Sequence, residues 1–201
     1  MIGTTDNEAL YRVRLLRKDA GVAVVVLVAL ALGWLLRAQV TGRDTLFQDS
    51  DSPFRITYPA TWSSADSLQD VLLKVEDPQT ASAFKTTLTV ESRDLDPQSP
   101  PTLQDLVDRR VAARGALTGY HFLSSGDATV GGARAAQIEY AYVVQPIDAP
   151  RRASLPVVVR AREYIVVTKD RTYYLTLAAP EDEFAAAGER MDQMIRTVQV
   201  Q

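Results

Sequence analysis

The chain has 201 residues, a net charge of −3, one histidine and no cysteine. Without cysteine it forms neither disulfides nor thiolate-bound iron–sulfur clusters, and one histidine leaves too few ligands for most zinc sites. The mildly acidic balance also argues against a nucleic-acid-binding surface, which needs clustered basic residues. We therefore expect no metal site, no cofactor and no nucleic-acid partner.

An uninterrupted apolar stretch lies near the N-terminus. Residues 20–36 contain no charged or strongly polar side chain. As a helix they are roughly 25 Å long, near the short end of what crosses a bilayer, and flanking Lys18 and Arg37 can reach the headgroups. This predicts a transmembrane helix over residues 20–37. Representative anchor residues are Ala20, Val25, Leu30, Trp34 and Leu36.

Two alternatives compete with a membrane anchor. A buried core helix of this length normally carries polar residues on one face, and residues 20–36 carry none. A cleavable signal peptide has a shorter apolar core that ends at an Ala-x-Ala-like site, and no good site of this kind follows Trp34. We favour an uncleaved anchor over both alternatives.

Basic residues before the apolar stretch predict the topology of the protein. Basic flanks are retained in the cytoplasm, so the N-terminus is expected inside and the rest of the chain in the periplasm or outside the cell. The protein would then be a single-pass protein of the plasma (inner) membrane. The residues that carry this signal are Arg12, Arg14, Arg17 and Lys18.

The predicted organisation has four parts, which are a cytoplasmic segment (1–19), the transmembrane helix (20–37), a polar linker (38–53) and one outer domain (54–201). In the outer domain, alternation of apolar and polar residues predicts β-strands. Their expected ranges are 54–58, 71–76, 86–91, 136–142, 155–169 and 172–178, the last two forming a hairpin.

Two helices are predicted among these strands. The first has Thr102 as its N-cap and Asp105 three residues later, and it extends to about Leu117. The second begins at Pro180, since proline and acidic residues favour a helix start. Residues 124–127 (Ser-Ser-Gly-Asp) are expected to form a turn, and the glycine pair 131–132 to form a hairpin turn.

Five motifs in this order resemble the PsbP-like (PsbP/DcrB-type) family. They are Phe-x-Ile-x-Tyr-Pro-x-x-Trp from Phe54, an early helix with Leu-x-x-Leu-Val from Leu103, Val-Gly-Gly-x-x-Ala from Val130, Tyr-Tyr-Leu-Thr-Leu from Tyr173, and a final helix with Phe184, Met191 and Ile195. The resemblance covers residues 53–200 and implies an α+β fold, an α/β/α sandwich with a mainly antiparallel sheet. It also implies a non-enzymatic accessory or assembly role on a membrane complex. No ion-binding residues of the plant photosystem protein can be matched, so a role in oxygen evolution is not carried over.

No catalytic constellation is present in the sequence. His121 lies near Ser124, but a serine hydrolase also needs an orienting acid and a nucleophile elbow, so a structural or surface histidine is expected. Glu91, Asp94 and Asp96 lie where a strand enters a loop, and we expect them to be solvated carboxylates. We therefore predict that the protein is not an enzyme.

A basic cluster and one tryptophan are the candidate interface residues. Arg160 and Arg162 share a strand face that either meets anionic lipids or an acidic partner, or is simply solvated. Trp62, after Pro59, is either core or an interface anchor at a sheet edge. The complete candidate set is Trp62, Arg151, Arg152, Arg160 and Arg162.

These observations favour a non-catalytic, single-pass accessory or assembly subunit of a larger membrane protein complex, such as a photosynthetic or respiratory one. Its partners would be the lipid bilayer and the other subunits of that complex. The alternative is a membrane-anchored outer module that binds a small ligand or lipid between sheet and helix. A sizeable apolar pocket with a few converging polar groups would favour the alternative, and a filled interior with a flat aromatic patch would favour the subunit.

Overall fold

The computed structural model describes residues 17–65, 71–96, 98–145 and 155–200, and within the first helix it describes side chains for residues 20–36 only. The chain divides into two compact units, Met1–Gly42 and Arg43–Gln201. The first unit contains helix α1 (Arg17–Thr41). Taken over the residues that can be described, no helix has both the length and the apolar character needed to cross a membrane.

The second unit contains nine strands and two helices in the described residues. The strands are β1 (Asp44–Gln48), β2 (Arg55–Pro59), β3 (Ser63–Ser64), β4 (Val71–Glu76), β5 (Thr87–Asp94), β6 (His121–Val130), β7 (Ala133–Val144), β8 (Val157–Val167) and β9 (Arg171–Pro180). The helices are α2 (Leu103–Arg114) and α3 (Phe184–Ile195). Strands β1 and β2 form a hairpin, and the other seven form an antiparallel sheet in the order β3-β4-β5-β9-β8-β7-β6.

Alternating side chains give the large sheet two buried faces. On β9, Leu175 and Leu177 face the core formed with α3 and the β1–β2 hairpin, whereas Tyr174 and Ala178 face the core formed with α2. The sheet is therefore the middle layer of an α/β/α sandwich. This confirms the predicted α+β fold and its mainly antiparallel sheet.

The start of α2 follows the predicted capping box. The Asp105 backbone N–H donates to Thr102 Oγ1 at 3.1 Å, and the Thr102 backbone N–H donates to Asp105 Oδ2 at 3.0 Å. These bonds satisfy two N–H groups that the helix itself leaves without partners. The helix ends at Arg114, three residues earlier than the sequence predicted.

The structure differs from the predictions in three segments. The expected linker contains strand β1, whose polar composition concealed it and whose Phe47 packs against the core. Residues 124–127 lie inside β6, because their backbone pairs with β7. Pro180 ends β9, and α3 begins at Phe184 after an intervening turn. Proline is tolerated there because the end of a strand does not require its missing N–H.

The β6–β7 turn depends on its two glycines. Gly131 and Gly132 have φ values of 56° and 78°, in the left-handed region that favours glycine, and this agrees with the predicted hairpin turn. A Cβ atom on Gly131 would lie only 2.8 Å from the backbone oxygen of Val198. The turn and the segment after α3 are therefore packed too closely for any side chain at this position.

We expect Gly131→Ala to lower the free energy of unfolding by at least about 2 kcal/mol, because it adds left-handed strain to a clash with backbone. Gly126→Ala is the matched control, since a Cβ at Gly126 meets nothing within 4 Å and its φ is not positive. The control should change stability by no more than about 0.5 kcal/mol. Urea unfolding followed by circular dichroism measures both, and equal effects would contradict the close packing described here.

Candidate functional site

The α2 side of the sheet contains a fully buried carboxylate. Glu163 on β8 is 0% exposed and lies among apolar residues of that core face. Arg110 Nε donates to Glu163 Oε1, Arg114 Nε donates to Oε2 at 3.3 Å, and the Tyr140 hydroxyl donates to Oε2 at 3.2 Å. Each oxygen of this carboxylate is therefore paired with a donor.

Arg110 connects Glu163 to a second carboxylate, Glu91 on β5. Its two terminal nitrogens donate to the two oxygens of Glu91 at 3.1 and 2.6 Å. Arg114 NH2 lies 3.7 Å from Glu91 Oε1. The guanidinium of Arg110 also covers the ring of Tyr174, 4.4 Å from its centroid. We call Arg110, Arg114, Glu91 and Glu163 the Arg–Glu network; its two positive and two negative charges balance.

Burial and pairing oppose each other in setting the pKa values of this network. Burial would raise the pKa of Glu91, but the hydrogen bond and charge of Arg110 outweigh burial and lower it. Burial would lower the pKa of Arg110, but Glu91 and Glu163 raise it further than burial lowers it. Burial, together with the charge of Glu163, raises the pKa of Tyr140. Glu91, Arg110 and Tyr140 therefore keep their ordinary protonation states near neutral pH. Such groups stabilise structure and are not suited to proton transfer.

The predicted basic pair lies on the opposite, α3 face of the sheet. Arg160 NH2 and Arg162 Nε both donate to Glu139, at 2.9 and 2.7 Å, and Arg162 also donates to Asp192 of α3 at 3.1 Å. The Arg160 guanidinium lies 4.6 Å from the centroid of the Phe184 ring. The two arginines share a face as the sequence predicted, and they are paired within the chain.

The other predicted site residues are distributed over the molecule. Trp62 is only 5% exposed and belongs to the α3-side core, so its ring is not on the surface. Arg12, Arg14, Arg151 and Arg152 lie outside the described residues, and Arg17 and Lys18 lie in α1 with side chains that are not described. The anchor residues Ala20, Val25, Leu30, Trp34 and Leu36 are all exposed on α1.

The residues considered for catalysis do not come together. His121 is exposed at the start of β6. Asp94 pairs with Arg171 at 3.0 Å and is largely exposed, as expected for a solvated carboxylate. The same expectation was wrong for Glu91, which belongs to the Arg–Glu network. In the part of the chain that is described, no group of three or more His, Asp or Glu side chains is placed to hold a metal ion.

Sequence reasoning missed Glu163, although a signal was present. Val159, Ala161 and Ile165 occupy every other position of β8 on the α2 face, and Glu163 interrupts this apolar series. A carboxylate at a buried strand position requires a cation from the opposing layer. Arg110 and Arg114, one turn apart on α2, supply that charge.

Strand β6 is an edge of the large sheet. It pairs with β7 on one side and with no other strand in the described ranges. From His121 to Asp127 every side chain is exposed, including Phe122 at 42% and Leu123 at 43%. The backbone donors and acceptors along its outer side are therefore accessible to another strand.

The sandwich has a PsbP-like α+β fold, as comparison with solved structures shows. The chain is similar to the cyanobacterial PsbP protein (CyanoP) of Synechocystis, with a TM-score of 0.57 and 13% identity over 79% of this chain and 92% of that one. It is also similar to LpqN of Mycobacterium tuberculosis, which is involved in cell envelope biogenesis (TM-score 0.54, 14% identity, 78% and 90% covered). For PA94 of Pseudomonas aeruginosa the TM-score is 0.50, with 16% identity over 78% and 96%.

No protein-family model and no curated protein sequence matches the chain. The structural similarities have identities of 13–16%, so they concern the fold alone. They confirm the fold that the five sequence motifs predicted.

We expect Glu163→Gln to lower the free energy of unfolding by about 3 kcal/mol, because it leaves two arginines sharing one carboxylate in a buried site. Asp94→Asn is the matched control, since it removes a carboxylate from the exposed pair with Arg171. The control should cost less than about 1 kcal/mol. Urea denaturation compares the two variants, and a loss for Glu163→Gln no larger than that of the control would contradict a stabilising network.

Proposed function

We propose that this protein is a non-catalytic accessory or assembly subunit of a larger membrane protein complex. Residues 20–37 anchor it in the plasma (inner) membrane, with its N-terminus in the cytoplasm and its outer domain in the periplasm or outside the cell. The outer domain binds partner subunits through its surface. The observation that carries this proposal is the exposed edge strand β6.

The edge of β6 has the properties of a strand-addition site. Natural edge strands are usually short, or protected by proline or lysine, so that they do not pair with other chains. Strand β6 is ten residues long and contains neither residue type. Its protection is limited to a register shift between Phe122 and Ser124 and the charge of Asp127. A partner strand that pairs here would also cover Phe122 and Leu123.

The interior of the outer domain favours a surface function. Each face of the sheet carries a packed apolar cluster, one with α2 and one with α3. The strongest charge clusters on the two faces are already neutralised by internal pairs. A filled interior is one of the two features expected of a subunit, the other being a flat aromatic patch, whereas a small-ligand carrier is expected to contain a sizeable apolar pocket with converging polar groups.

Support for the anchor comes from the side chains of α1. Residues 20–36 are apolar around the whole circumference and exposed in the isolated chain, which is typical of a helix covered by lipid or by other helices. Their length of roughly 25 Å is short for a bilayer, so the flanking basic residues must extend the span to the headgroups. Those same basic residues supply the proposed orientation.

The competing function is an outer module that binds a small ligand. One observation favours it, a polar cleft beside α2 that contains unpaired donors. That cleft is compatible with a subunit role, because it lies away from β6.

We expect the full chain, purified in a mild non-ionic detergent, to migrate with stoichiometric partner subunits. The double substitution F122K/L123K should abolish this association, because two lysines place charge on the β6 edge and oppose strand addition. The matched control is Leu46→Lys, at a similarly exposed apolar residue on the separate β1–β2 hairpin. Circular dichroism verifies that both variants fold.

Two outcomes would contradict this assignment. One is a wild-type chain that migrates alone in detergent. The other is equal loss of the partner in F122K/L123K and in the Leu46→Lys control, because the association would then not depend on β6.

We expect the native chain to remain in the membrane pellet after alkaline carbonate extraction. The double substitution V25D/L30D should release it, because each aspartate near the centre of a span costs about 3 kcal/mol. A wild-type product in the soluble fraction whose N-terminus lies beyond residue 37 would contradict the anchor and indicate a cleaved signal peptide.

A further inference from the structure

We propose that a cleft between α2 and the end of β5 binds a small anion that carries a phosphate or carboxylate group. The cleft has a volume of about 590 Å³, and Arg93, Arg109, Thr172 and Tyr174 contribute to its lining. We call it the α2 cleft. Its size lies within the range of small-molecule sites in proteins. This inference does not depend on the proposed subunit role.

The fold explains why the cleft is open. Helix α2 packs across β7 and β8, so it leaves part of β5 and β9 uncovered on the same face of the sheet. Residues 94–96, at the end of β5 and just after it, and residues 99–101, which precede α2, line the cleft as well. The floor is therefore formed by strands, and the walls by a helix and a connecting segment.

Three arginines line the α2 cleft, and one of them, Arg110, is paired with two carboxylates. Arg110 donates to Glu91 and Glu163 within the Arg–Glu network. Arg93 and Arg109 form no ion pair with any residue that the structure describes, and they act on nearby carboxylates only through longer-range attraction. A guanidinium has five N–H donors, so Arg93 and Arg109 hold unused donors beside the cleft.

The acidic residues of the cleft do not use these donors. Asp94 pairs with Arg171 at 3.0 Å. Asp105 accepts from the hydroxyl and the backbone N–H of the α2 N-cap, at 2.7 and 3.0 Å. Asp96 accepts from a backbone N–H at 2.9 Å. Arg93 and Arg109 thus form no ion pair with the described carboxylates of the cleft, and their N–H groups are available to an anionic ligand.

Thr172 provides an independent indication at the floor of the cleft. It is 1% exposed, and its buried Oγ1 has no hydrogen-bond partner among the described residues. Buried hydroxyl groups in folded proteins are nearly always hydrogen-bonded, so this one requires an explanation. A ligand oxygen that enters the cleft would accept a hydrogen bond from it.

Tyr174 fixes the direction in which Arg93 extends. Thr172 and Tyr174 are two residues apart on β9, so they face the same side of the sheet, and Arg93 is the cross-strand neighbour of Thr172. The Arg93 guanidinium lies 5.9 Å from the centroid of the Tyr174 ring. This cation–π contact holds the charge of Arg93 near the unpaired hydroxyl. Arg93 and Thr172 therefore lie at the same end of the cleft, and Arg109 lines it from α2.

Isothermal titration of the full chain in non-ionic detergent tests the proposal, with inorganic phosphate and succinate as separate probes at constant ionic strength. We expect saturable millimolar binding of at least one probe, and the tighter one identifies the preferred group. Arg93→Ala and Arg109→Ala should each weaken binding about tenfold, as expected for loss of a charge-assisted hydrogen bond. Arg134→Ala is the matched control, because Arg134 is exposed on β7 and does not line this cleft.

Thr172→Val separates a ligand contact from a structural role. Valine has the same shape without the hydroxyl, so the urea midpoint should stay unchanged or rise while affinity for the anion falls. The proposal is overturned if neither probe gives saturable heat, or if Arg93→Ala and Arg109→Ala bind like the Arg134→Ala control. Partner association through β6 is measured separately in the F122K/L123K variant, so failure of one proposal is distinguishable from failure of the other.

Discussion

The ion pair between Arg110 and Glu163 determines how α2 lies on the sheet. Arg110 extends from the helix and binds Glu163 on β8 and Glu91 on β5, with Tyr174 of the intervening strand β9 beneath its guanidinium. One side chain thus crosses three adjacent strands. Because a buried carboxylate is costly without its partner, any shift of α2 that separated these charges would be strongly unfavourable. The position of the helix, and with it the opening of the α2 cleft, follows from this constraint.

The opposite face of the sheet repeats this arrangement with other residues. Glu139 on β7 binds Arg160 and Arg162 on β8, and Arg162 also reaches Asp192 on α3. Since successive residues of a strand point to opposite faces, β8 contributes its acidic residue to one helix and its basic residues to the other. Each helix is therefore joined to the sheet by apolar packing and by ion pairs. Among the arginines that line the α2 cleft, Arg93 and Arg109 are outside these internal pairs.

Local sequence signals predicted the fold well, whereas contacts between distant residues could not be predicted from the sequence. The capping box at Thr102, the strand 71–76 and the glycine turn at 131–132 each depend on neighbouring residues, so their patterns are readable in one dimension. The partnership of Glu163 with Arg110 joins residues 53 positions apart, and only the register of β8 against the other strands brings them together. A single sequence indicates that Glu163 occupies a position of the apolar series on β8. It does not indicate which cation forms the ion pair with this carboxylate. The α2 cleft escaped prediction for the same reason, since it is formed by three separate segments.

The error at residues 124–127 has a physical cause that also bears on function. Ser-Ser-Gly-Asp favours a turn, and in a central strand such residues would leave both faces of the sheet without apolar cover. Strand β6 tolerates them because only β7 holds it and its outer side requires no complementary surface. Residues 121–127 have exposed side chains and are held mainly by backbone bonds to β7, whereas Val130 of the same strand is buried in the core. Such a segment is among the least stable parts of a sheet, and a second strand on its free side would add hydrogen bonds and cover Phe122 and Leu123. The weak strand signal and the proposed docking role therefore have one origin, a part of β6 whose side chains are not constrained by the domain's own core.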